Sequence, residues 1–163
     1  MMKCQQGLLS QLKRFSRRED LYTPIQSLPQ ALAADEYVAR FIFETREIFS
    51  NGAAKPNPFM PVLEKSTGVL ETSVCRKTNI SDERIWELAK TVRIPKVAIA
   101  RADLSVADIH KSSLEAHAAP EPEINYFEHS VIVGWPLGED VKAKHKQIAI
   151  NLAAEAKVIK VPS

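Results

Sequence analysis

Residues 62–78 read VLE, KSTG, VLETSVCRKT: two β-rich runs separated by four residues. Ser66, Thr67 and Gly68 supply turn chemistry, and so short a link joins antiparallel neighbours. Parallel strands need crossovers of about a dozen residues or more, so this hairpin argues against a doubly wound parallel sheet. Its second run alternates Leu70, Thr72, Val74 and Arg76 with Val69, Glu71, Ser73 and Cys75, one set for each face of a sheet.

The flanking sequence supplies strands and capped helices. YVARFIF predicts a strand over 36–43, with Tyr37, Ala39, Phe41 and Phe43 on one face. Helical spacing through Val38, Phe41, Ile42 and Phe49 is the weaker alternative, and NGAAKPNPFMP, with three prolines, is a loop. Ser81 is placed to cap a helix, Asp82 and Glu83 suit its positive end, and Ile80 can staple to Ile85. Ile85, Leu88, Ala89 and Val92 form that helix's apolar stripe, and Pro95 ends it. VAIARADL predicts a strand at 97–104: Ala98, Ala100 and Ala102 would let a helix approach closely, while Arg101 and Asp103 share the other side and can pair. Ser105 and Asp108 have capping-box spacing, and Leu104 can staple to Ile109, so a helix follows.

AHAAPEPE reads as a loop. INYFEHSVIVGW is the longest β-like run and sets Phe127, His129, Val131, Val133 and Trp135 on one face. Residues 140–157 predict a helix whose stripe is Val141, His145, Ile148, Ala149, Leu152 and Ala156, and VIKVPS suits a short edge strand. This order predicts an α+β fold: a compact two-layer sandwich with a mixed, largely antiparallel sheet and about three packed helices.

An amphipathic helix is expected ahead of that domain. Residues 7–18 align Leu8, Leu9, Leu12 and Phe15 along one stripe, with Arg14, Arg17 and Arg18 among the basic residues nearby. Pro24 and Pro29 punctuate the stretch that follows, so residues 1–30 read as helix and connector, and 31–163 as a single domain. At 163 residues such a chain can bury a core without staples. No apolar run approaches the roughly 18 residues of a membrane span. No apolar stretch follows Lys3 as a secretory signal requires, and the two cysteines are too few for a disulfide framework. A cytoplasmic location is therefore expected.

The chemistry is constrained mostly by what is missing. The five glycines form neither a dinucleotide fingerprint nor a Walker loop, and no Gly-x-Ser-x-Gly elbow is present. His-Glu-x-x-His and Cys-x-x-Cys are absent, and His110 and His117 would stand about 10.5 Å apart along one helix, too far to share a metal. No metal or cofactor is implied. Cys75 could serve as a nucleophile only with a histidine beside it, for which His129 is the candidate. Arg40, Arg76 and Arg101 lie in predicted strands; converging with His129, they would form an anion pocket.

Two functions follow as expectations. The first is a noncatalytic interaction module that engages a protein partner through its N-terminal helix or a sheet edge. The alternative is a small phosphate-directed enzyme, nuclease- or toxin-like, or an anionic-ligand-binding domain, using Arg76, Arg101, Asp103 and His129. Nucleic acid would be a partner of the second function only, and no run interleaves basic and aromatic residues as a single-stranded binding platform does. Trp86 and Trp135 read as core or interface anchors.

Overall fold

The computed structural model describes residues 25–163. The amphipathic stripe of Leu8, Leu9, Leu12 and Phe15, with Arg14, Arg17 and Arg18, lies outside them.

Seven strands form one sheet: β1 (Tyr37–Ile42), β2 (Val62–Glu64), β3 (Val69–Arg76), β4 (Ala100–Ser105), β5 (Glu115–Ala118), β6 (His129–Val133) and β7 (Lys157–Lys160). The order is β5-β6-β3-β1-β4-β7, with β2 paired to β3, and every pairing among the described residues is antiparallel. The α-helices are α1 (Asp82–Thr91), α2 (Val106–Lys111) and α3 (Val141–Glu155). The α+β class, the antiparallel character of the sheet and the three helices are as expected, although no parallel pair makes the sheet mixed among the described residues. The layering differs from a two-layer sandwich: α1 packs on one face of the sheet, α2 and α3 on the other. Neighbouring strand residues point opposite ways, and here both sets are apolar. Val38, Val74, Ala102 and Leu104 join the cluster with Ile109, Ala149 and Leu152. Ala39, Phe41 and Cys75 join Ile85, Leu88 and Ala89.

Local signals place the helices. Ser81 Oγ accepts the Arg84 amide at 3.2 Å, and Ser105 Oγ accepts that of Asp108 at 3.1 Å. Ala100 and Ala102 are fully buried beneath Ala149, Leu152 and Ala153 of α3; methyl side chains keep that contact close. Ala98 falls in the opposite cluster, because the strand begins only at Ala100.

Two stretches depart from the sequence reading. Residues 116–118, expected as the start of a loop, belong to β5, which is paired to β6 and bridged on its outer side by Ala31. The long run at 124–135 yields only His129–Val133 as strand, since a 3-10 turn at Pro122–Ile124 and Asn125 at φ 56° precede it. The helix carrying His110 ends at Lys111, and His117 lies on β5, so the two share no helix.

Candidate functional site

Arg76, Arg101, Asp103 and His129 do not share a site. Arg76, on β3, turns toward the α2/α3 face beside Val38 and is 2% exposed. Its Nε and Nη2 each donate to Glu36 at 2.8 Å, and its Nη1 donates to the Pro29 carbonyl at 2.9 Å. That guanidinium is committed to the fold.

Arg101 and Asp103, on β4, face α1 and pair as their spacing predicts, Nε to Oδ1 at 3.1 Å. Arg101 also donates to Asp82 Oδ1 at 2.9 Å and lies 4.9 Å over the Trp86 ring, and Lys77 pairs with Asp103. This buried cluster ties α1 to the sheet.

His129 shares that face but stands far away. The register runs His129 to Cys75, Cys75 to Ala39, and Ala39 to Asp103. Three inter-strand steps separate His129 from Asp103, about 14 Å. Cys75 lies directly opposite His129 in the ladder, yet its thiol is wholly buried and burial pushes its pKa up to about 12. A thiolate nucleophile is thereby removed.

His129 instead meets Ser73, a residue with no sequence motif to mark it. Ser73 and Cys75 share a face of β3, so Ser73 sits diagonally from His129, and its Oγ lies 2.5 Å from Nε2. The other ring nitrogen, Nδ1, is 2.6 Å from the Ala119 carbonyl and 3.1 Å from Glu121 Oε1. A carbonyl only accepts, so Nδ1 carries the hydrogen. In the neutral imidazole, Nε2 is then the lone-pair side, and the Ser73 hydroxyl donates to it. The ring is 7% exposed and packs against the tilted ring of Tyr126, the centroids 5.1 Å apart, whereas Ser73 is exposed.

The opening beside Ser73 comes from sheet geometry. β1 pairs with β3 only at Val38–Arg76 and Ala39–Cys75, then leaves it. Arg40 spans the gap, donating from Nη1 to the Ser73 carbonyl at 2.8 Å and from Nε to the Pro58 carbonyl at 2.6 Å. Burial pulls its pKa below the usual guanidinium value. The resulting cleft, about 300 Å³, is lined by Arg40, Phe43, Ser73, Arg93, Glu121 and His129 among others. Glu71, one step along the same face of β3, has its carboxyl pushed upward by burial. A hydroxyl, an imidazole of fixed tautomer, a carboxylate behind it and two guanidinium groups therefore meet at one opening.

Among the described residues no group of three or more His, Cys, Asp or Glu side chains is arranged to hold a metal ion. No helix among them is long and apolar enough to cross a membrane. Comparison of the chain with protein-family models, curated proteins and solved structures gave no match.

Proposed function

We propose that this protein is a small ester hydrolase in which Ser73 is the nucleophile and His129 its base. The observation that carries the reading is the hydrogen bond from Ser73 Oγ to His129 Nε2, with Nδ1 on the Ala119 carbonyl. In the first step Oγ bonds to the ester's carbonyl carbon as its proton passes to Nε2. The imidazolium then returns that proton to the departing alcohol. Water, deprotonated by the same nitrogen, cleaves the acyl-serine. Glu121 stabilises the imidazolium, and the Ala119 carbonyl keeps the ring aligned. Arg40 and Arg93 supply positive charge for the developing oxyanion or for an anionic group on the substrate.

Treatment with a fluorophosphonate reagent, followed by peptide mass spectrometry, tests this. A phosphonyl adduct is expected on Ser73, with loss of labelling in Ser73→Ala. For p-nitrophenyl acetate hydrolysis, His129→Ala should slow turnover about 10²–10⁴-fold. An unlabelled Ser73 in folded protein would sink the assignment.

The interaction reading rests on the basic, apolar-striped residues 7–18 and so on sequence alone. A chain beginning at Ile25 that still recovered the same proteins from a lysate would remove it.

A further inference from the structure

A second concavity lies on the α3 side of the molecule, between the 55–61 loop and the first turns of α3. Its volume, about 660 Å³, falls within the range of small-molecule sites. Three lysines, Lys55, Lys142 and Lys146, line it, and no carboxylate does.

These ammonium groups differ from the cations that tie the fold together. Arg76, Lys77, Arg84, Lys96, Arg101 and Lys111 all have carboxylate partners. The ammonium groups of Lys55, Lys142 and Lys146 have neither an ion pair nor a hydrogen bond among the described residues, and Lys55 Nζ lies 5.4 Å from the Phe49 ring in a cation–π contact. Lys142 and Lys146 are four apart on α3 and so lie on one face, where like charges repel and weaken the helix. Glu139 and Asp140 precede the helix but do not line the cleft.

The walls are fixed. His145 is buried, donates from Nε2 to the Pro136 carbonyl at 2.8 Å and meets Trp135 edge-on at 5.6 Å. Met60, Pro56 and Pro61 supply apolar surface beside the charges. Unpaired cations converging on a partly apolar hollow suit a ligand that is anionic at one end and apolar at the other.

We propose that this cleft binds a small organic phosphate, its phosphate held by Lys55, Lys142 and Lys146 and its body resting on Met60 and the prolines. The site stands independently of the Ser73 assignment. Isothermal titration with 1-naphthyl phosphate tests it, using the Ser73→Ala protein so that ester cleavage cannot confuse the heat. Saturable one-to-one binding is expected, weakened at least about tenfold by Lys142→Glu/Lys146→Glu and by Lys55→Gln. The control Lys90→Glu, on α1, should bind as the parent, and 1-naphthol should bind at least about tenfold more weakly. Thermal unfolding of each variant confirms that it is folded. Absence of saturable binding, equal weakening by Lys90→Glu, or equal affinity for 1-naphthol would overturn the proposal. So would tighter binding of a single-stranded oligonucleotide through the same lysines, which would make the surface a nucleic-acid contact.

Discussion

Arg76 shows what a buried charge does in this fold. It is 2% exposed and takes both oxygens of Glu36, which also accepts hydrogen bonds from Thr78 Oγ1 and the Ala33 amide. Burial alone would raise the Glu36 pKa; the bonds from Arg76, Thr78 and Ala33 outweigh it and hold the carboxyl below its ordinary value near 4.5. Glu36→Ala leaves a buried guanidinium without its counter-ion, so a loss of about 3–5 kcal/mol is expected in denaturant unfolding. The pH dependence has a definite sign. Because the folded pKa is depressed, the pair's stabilisation is complete above the unfolded value and is lost as pH falls through the folded one. Glu36→Gln should accordingly flatten the stability profile on the acid side of about pH 4.5. An unchanged acid limb would show that other carboxylates control it. Cys75 makes the complementary point: burial outweighs the pull of Arg84 and Arg101 and keeps its thiol neutral and chemically quiet.

At the scale of elements, short-range chemistry explains the helices and fails for the short strands. Ser81 and Ser105 cap α1 and α2 through bonds spanning three residues, so their sequences carry the whole signal. Ser81→Ala and Ser105→Ala should each cost about 1 kcal/mol in thermal or urea unfolding, while Ser81→Asp should cost little. A cost near zero for both alanine variants would show that water replaces these caps. β5 has no comparable signature. EAHA lacks β-branched residues and becomes a strand because β6 lies on one side and residues 30–32 on the other. Conversely, YFE of the longer β-like run is drawn out of the ladder by the left-handed turn at Asn125.

For the whole molecule, the segment ahead of β1 belongs to the domain. Leu32 is buried in the core, its amide donates to the Ala116 carbonyl, Pro29 accepts from Arg76, and Glu36 supplies that arginine's counter-ion. On the far side, Lys157 and Lys160 flank the edge strand β7, where charge discourages further pairing. Two truncations test this closure. A chain beginning at Ile25 retains all of these contacts and should unfold cooperatively. One beginning at Tyr37 loses Leu32, worth about 2–5 kcal/mol by analogy with core truncations, as well as the Glu36 pairing. Against a total stability of about 5–15 kcal/mol, that chain should be largely unfolded by circular dichroism. Melting temperatures within a few degrees of each other would place residues 25–36 outside the cooperative unit.

What the residues themselves determined is local: the two capped helices, the hairpin, the α+β class, and the pairing of Arg101 with Asp103 two positions along a strand. These rest on interactions within a few residues, which the order of side chains specifies directly. The contact of Ser73 with His129 spans 56 positions, and that of Arg76 with Glu36 spans 40. Both depend on strand register, and a slip of one residue would turn each side chain to the opposite face. Packing of both sheet faces selects that register, so only the assembled core could separate the arginine that holds the fold together from the histidine left facing a hydroxyl.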